Sequence, residues 1–111
     1  MSGITTHVLD TARGCPAAGV RVLLERAVGS GWHPVGRATT DADGRARDLL
    51  TSAPEDGHYR LTFDTDTYFR GVGETGFFPE VSVTFVVAHG EDHYHVPLLL
   101  SPFGYSTYRG S

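Results

Sequence analysis

Turn formers interrupt this chain too often for long helices. Fourteen glycines and six prolines fall among 111 residues, and turn signals recur about every 8–12 residues. Glycine opens backbone angles closed to other residues, and proline fixes φ and removes an N–H, so both cut short any helical run. The segments between the turns alternate in polarity. Thr6 to Asp10 is rich in β-branched residues, and Val20 to Glu25 reads as the next strand. Gly29-Ser30-Gly31 forms a hairpin loop from which Trp32 to Thr40 returns. Asp41-Ala42-Asp43-Gly44 is a tight turn, because Asp and Gly tolerate the angles it demands, and Arg45 to Leu50 follows as a short strand. In His58 to Asp64, Tyr59, Leu61 and Phe63 share one face. Val81, Val83, Phe85 and Val87 share a face of the next strand. In the last clear strand Tyr94, Val96, Leu98 and Leu100 share one face, and His93, His95, Pro97 and Leu99 the other. Ala88 to Asp92 joins these two strands as an expected hairpin. Pro97 lacks an N–H, which predicts an edge position or a local bulge. Asp66-Thr67 before Tyr68-Phe69-Arg70 is the start expected of one short helix, ending at Gly71 and Gly73. About seven or eight short strands of this kind predict an all-β, two-layer sandwich.

Composition bounds the function. At 40% hydrophobic and 20% charged, residues 1–111 are expected to form a single domain with one modest core. No apolar run approaches the roughly 18 residues of a membrane span, so no membrane partner is expected. Nine Lys+Arg stand against 13 Asp+Glu, a net charge of −4, which argues against nucleic acid as a partner. The opening Met1-Ser2-Gly3-Ile4 has no charged stretch leading into an apolar one, so the expected setting is the reducing cytoplasm. Cys15, the single cysteine, cannot pair within the chain and reads as a small loop residue.

Histidine is the chemical outlier, with six residues. His93 and His95 stand two apart on a strand, so both imidazoles leave the same face. That spacing suits two hydrogen-bonded structural histidines, a proton-transfer site, or a metal pair needing a third ligand such as His7. His7 alternates with Thr5 and Leu9, opposite the Thr6/Val8 face. Arg45 directly follows the Asp43-Gly44 turn, either as a solvated charge or as an anchor for a planar anion, to which its fork donates parallel hydrogen bonds. The final Tyr105 to Ser111 is polar and aromatic, with two tyrosines and an arginine. It suits a docked end or a frayed last strand. Gly71-Val72-Gly73-Glu74-Thr75-Gly76 has the spacing of a nucleotide-binding loop but no βαβ context, so it carries no such function.

Longer stretches resemble a known family. Thr6-His7-Val8-Leu9-Asp10-Thr11, the Gly14-Cys15-Pro16-Ala17 turn and Thr40-Asp41-Ala42-Asp43-Gly44-Arg45 resemble the transthyretin-like proteins. So do Phe77-Phe78-Pro79-Glu80, His93-Tyr94-His95-Val96-Pro97-Leu98-Leu99-Leu100-Ser101-Pro102 and Tyr108-Arg109-Gly110-Ser111. The His-Tyr-His-Val-Pro segment and the final tetrapeptide resemble the branch of 5-hydroxyisourate hydrolases rather than the hormone carriers. The resemblance implies a two-sheet β-sandwich of about eight strands with one short helix. It implies a homotetramer with active sites in a channel between dimers, and hydrolysis of 5-hydroxyisourate to 2-oxo-4-hydroxy-4-carboxy-5-ureidoimidazoline in urate degradation. On that resemblance the catalytic residues are His7, Arg45, His95 and Ser111, and the substrate-binding residues are His7, Arg45, Tyr108, Arg109, Gly110 and Ser111. No cofactor and no metal are expected, because two bases and an arginine supply the functions of a zinc ion. His7 is the expected general base, with His95 orienting the water or returning the proton, and the reverse order is open. The alternative reading is a carrier of a small hormone-type ligand without catalysis.

Overall fold

Nine strands and one short helix make up the described residues, 2–111, of this computed structural model; Met1 of the opening segment lies outside them. The strands are β1 (Gly3–Asp10), β2 (Cys15–Pro16), β3 (Arg21–Val28), β4 (Gly31–Thr39), β5 (Arg45–Leu50), β6 (Gly57–Phe63), β7 (Val81–Val87), β8 (His93–Ser101) and β9 (Gly104–Thr107), with α1 (Thr65–Gly71) between β6 and β7. They form two sheets. In one, β1 pairs with β8 on one side and with β5 and the short β2 on the other, and β9 extends β8. The other runs β4-β3-β6-β7. This is the expected all-β, two-sheet sandwich with one short helix.

The core follows from alternation. Ile4 and Val8 of β1, Tyr94, Val96, Leu98 and Leu100 of β8, Val22 and Leu24 of β3, and Tyr59, Leu61 and Phe63 of β6 all face inward and are buried. Burying each of the larger apolar side chains stabilises the fold by about 1.5–3 kcal/mol. Two polar groups on β1 also point inward, each with a partner. Thr6 Oγ1 donates to the Val96 carbonyl at 2.6 Å. Asp10 accepts from the Ala12 and Arg13 amides and, at 2.7 Å, from the Tyr68 hydroxyl of α1. Burial and then this hydrogen bond push the Tyr68 phenol up to about 12, so it stays a donor and ties the helix to β1.

Three local expectations are corrected. Residues 88–92 do not make a hairpin: β7 pairs only with β6, whereas β8 lies in the other sheet between β1 and β9. The segment crosses between sheets, and its turn signals mark the reversal without specifying the partner. The helix is capped by Asp64, whose side chain accepts from the Thr67 amide and hydroxyl, so it begins at Thr65 rather than after Asp66-Thr67. Pro97 lies in a central strand. It falls between the last β9 pair, Leu98 with Thr107, and the isolated bridge of His95 to Gly110, and the Pro97 carbonyl accepts from Thr107 Oγ1 at 2.6 Å.

Candidate active site

The outward face of the β1–β8 pair carries the chemistry. The two strands run parallel with Gly3 beside His93, Thr5 beside His95 and His7 beside Pro97. Thr5 and His7 therefore share a face with His93 and His95, opposite the core. Across the antiparallel β1–β5 ladder, His7 stands directly opposite Arg45.

The Asp41 to Gly44 turn sets this edge of the site. Asp41 Oδ1 accepts from the Asp43 and Arg45 amides, and Oδ2 accepts from Arg47. The Arg45 amide hydrogen bond, foremost, holds the Asp41 carboxyl below its ordinary value. Gly44 adopts φ +78°, and a Cβ there would meet the Val8 carbonyl oxygen at 2.4 Å, so glycine is required for the turn to lie against β1. With the turn in place, His7 Nε2 donates to the Asp43 carbonyl at 2.8 Å, which fixes the ring and leaves the Nδ1 lone pair free in the neutral form.

A cleft of about 200 Å³ opens on this face, lined by Thr5, Thr6, Arg45, Arg47, His93, His95 and Ser111. Arg45 has no carboxylate partner among the described residues, whereas Arg47 is paired with Asp41 at 2.9 Å. The lining holds cations, imidazoles and hydroxyls but no Asp or Glu side chain, which favours a ligand that is anionic or becomes so. His95 is half-buried, with Nδ1 2.8 Å from Thr5 Oγ1. Burial, followed by the charges of Arg45, His7 and His93, lowers its pKa. Near neutral pH it is an unprotonated base. Among the described residues no three His, Cys, Asp or Glu side chains are gathered to hold a metal ion.

The chain end docks beside this base. The Gly110 amide donates to the His95 carbonyl at 2.8 Å. A Cβ on Gly110 would meet His95 Cδ2 at 2.6 Å, so only glycine lets the backbone lie on the imidazole edge. Ser111 thereby reaches the cleft. Arg109 points to the other side, bonded to Glu91 at 2.6 Å and stacked over the Tyr94 ring at 4.6 Å. It anchors the tail and does not line the cleft. Tyr108 is exposed and borders a separate hollow with Phe85, Val86 and Tyr94. His7 flanks Arg45 at the margin and does not itself line the cleft.

Three residues of the cleft, Thr5, Thr6 and Arg47, are not evident as site residues from the sequence. For Thr5 and Arg47 the signal is alternation, since Thr5 stands two from His7 and Arg47 two from Arg45. A larger cavity of about 620 Å³ lies on the outer face of the other sheet, among Arg21, Leu23, Arg37 and Thr62. It contains no histidine, and its titratable lining is Asp64 and Glu80 beside Arg21 and Arg37.

Fold and cleft together define a transthyretin-type sandwich carrying a basic, histidine-lined site. The HIUase/Transthyretin family model matches residues 4–110, and the chain belongs to that family. It is 48% identical to a 5-hydroxyisourate hydrolase of Deinococcus radiodurans, over 98% of this chain and 96% of that one. It is 46% identical to a 5-hydroxyisourate hydrolase of Caulobacter vibrioides over the full length of both. Among solved structures it superposes on the 5-hydroxyisourate hydrolase of Klebsiella pneumoniae with a TM-score of 0.87 at 40% identity, covering 100% of both chains. On the transthyretin of Sparus aurata the TM-score is 0.90 at 33% identity, covering 99% of this chain and 97% of that one.

Proposed function

We propose that this protein hydrolyses 5-hydroxyisourate to 2-oxo-4-hydroxy-4-carboxy-5-ureidoimidazoline as one step of urate degradation. The protein is a hydrolase of its family, by its likeness over nearly the whole chain to relatives so named. The observation that carries the substrate reading is the cleft, where half-buried His95 shares the lining with an Arg45 that has no carboxylate partner among the described residues. In the reaction, water oxygen bonds to a ring carbonyl carbon while His95 takes the water proton. Arg45 donates to the oxygen on which negative charge develops. The carbon–nitrogen bond then breaks, the proton passes to the departing nitrogen, and the new carboxylate stays beside the arginines. His7, held by the Asp43 carbonyl, orients the water or returns the proton. This order is the reverse of the one first expected, and it is favoured because His95 lines the cleft and is the half-buried, depressed base. Ser111 closes the site, Gly110 packs the tail on His95, and Arg109 holds it down, while Tyr108 borders the neighbouring hollow.

The same proposal takes residues 1–111 as one catalytic domain, assembled as a homotetramer in the cytoplasm. An unpaired Val86 and Tyr108, both exposed in the single chain, support assembly through this end, and the lone Cys15 suits a reducing compartment. Among the described residues no helix is long and apolar enough to cross a membrane. A carrier of an apolar hormone fits less well, because such a ligand would leave Arg45 and the imidazoles without polar partners.

The decisive measurement follows the ultraviolet decay of freshly generated 5-hydroxyisourate with and without protein, beside a thyroxine-binding assay. Accelerated decay without thyroxine binding supports the hydrolase; binding without acceleration overturns it. The pH dependence follows from His95. As a base it works neutral, so activity is full above its pKa and falls as acid protonates it. Because that pKa lies below the ordinary imidazole value, the acid limb of kcat/KM is expected on the acid side of ordinary histidine titration. A rate with no acid limb at all over the range where the protein stays folded, after subtraction of the uncatalysed decay, counts against a histidine base.

A further inference from the structure

Thr5 does more on this face than strand propensity requires. It is only 6% exposed and stands beside His95 in the parallel ladder. Its Oγ1 lies 2.8 Å from His95 Nδ1 and 3.4 Å from His93 Nε2. A hydroxyl has one proton to donate and further capacity to accept. Its single proton reaches one imidazole at most, so at least one ring donates to it where both contacts are used. Two chains of donation through the hydroxyl satisfy the geometry: His95 to Thr5 to His93, or the reverse. In the reverse, His95 receives at Nδ1 and keeps its proton on Nε2, so no lone pair remains on it to take a proton from water. In the first, Nδ1–H is engaged and Nε2 is free. His95 Nε2 has no hydrogen-bond partner among the described residues.

We propose that Thr5 is a positioning residue for the hydrolysis: by accepting from His95 Nδ1–H and donating to His93 Nε2, it holds His95 in the tautomer whose Nε2 is the base. The inference rests on the hydrolase reading for its catalytic consequence and on the contacts alone for the tautomer. Neutral histidine in water favours the Nε2–H form, so the opposite tautomer needs a fixed partner on Nδ1. Thr5 suits this role because a β-branched side chain in a strand has little χ1 freedom. The groups facing His95 are consistent with it. Arg45 and Arg47 come from β5, His7 from β1, His93 from its own strand, and Gly110 and Ser111 from the tail. None brings an Asp or Glu side chain that would accept from Nδ1 in place of the Thr5 hydroxyl, and the Thr5 backbone also bears on the ring.

The test combines imidazole 15N NMR of the intact protein with kinetics on Thr5→Val and Thr5→Ser. In the wild type above the His95 titration, Nδ1 is expected protonated and Nε2 unprotonated. Thr5→Val is expected to shift His95 toward the Nε2–H form and to lower kcat about tenfold to a hundredfold, with KM changed less than about threefold. Thr5→Ser restores the hydroxyl and most of kcat. A wild-type spectrum showing Nε2–H overturns the proposal, as does a Thr5→Val enzyme with unchanged tautomer and kcat. If Thr5→Val does not fold, the wild-type spectrum and the Thr5→Ser kinetics still decide. If the wild type does not accelerate 5-hydroxyisourate decay, the substrate reading fails, and the spectrum decides the role of Thr5 by itself.

Discussion

Deleting Tyr108 to Ser111 is expected to lower turnover of 5-hydroxyisourate by about a hundredfold to a thousandfold while leaving a folded protein. The tail does three things for the site. Gly110 covers the edge of the His95 ring and bonds to its carbonyl. Ser111 supplies one wall of the cleft. Arg109 holds the segment through Glu91 and the Tyr94 ring. Without the tail, His95 gains solvent, and the burial that lowers its pKa is relieved. Its acid limb should therefore move toward that of ordinary histidine. The fold has little reason to fail. The core residues of β8, Tyr94, Val96, Leu98 and Leu100, point to the other side of the sheet, and β9 keeps its pairing from Gly104 to Thr107. The lost Arg109–Glu91 pair is an exposed one, of the kind that adds little to stability. Turnover, melting temperature and mass by light scattering, taken on the same sample, check the expectation and report the tetramer. Wild-type turnover from the truncated, folded protein removes the tail from the mechanism.

Arg45→Lys is the second large effect. The variant keeps the positive charge and loses the planar pair of parallel donors. Removing one well-placed donor to a developing oxyanion costs about a hundredfold to a thousandfold in turnover, and a similar loss in kcat is expected here. The melting temperature should barely move. The Arg45 guanidinium makes no ion pair among the described residues, and the bond from its amide to Asp41 survives the change. Near-full activity in the lysine variant would mean that charge alone suffices and that bidentate anchoring is not used.

Much of the architecture was legible from alternation, because a period of two in Tyr59-Leu61-Phe63 or in Tyr94-Val96-Leu98-Leu100 states which side is buried whatever the partner strand is. The Asp41 to Gly44 turn was legible for the same local reason: Asp side chains bonding nearby amides and a glycine at positive φ need no distant residue to define them. His7, Arg45, His95 and the final tetrapeptide were named from a family resemblance, and their roles remain chemical proposals resting on the cleft. The hairpin expected at residues 88–92 failed because a turn specifies a reversal of the chain and not the sheet in which the next strand pairs.

Tertiary structure decided which side chains meet. Nothing in the local pattern of β1 says that it pairs in parallel with β8, yet that pairing alone puts Thr5 beside His95, 90 positions away in the chain. Threonine in a strand is ordinary for its β-branched shape, so its hydroxyl carried no signal until the ladder brought two imidazoles to it. Pro97 likewise marked an edge or a bulge by its own chemistry and turned out to lie in a central strand, where Tyr108 and Arg109 leave the ladder before Gly110 rejoins it at His95. Periodicity is a property of one segment, and it set the inner and outer faces of this protein. The site is made by contacts between segments, whose register follows from the burial of both sheets at once, and only the folded chain contains that information.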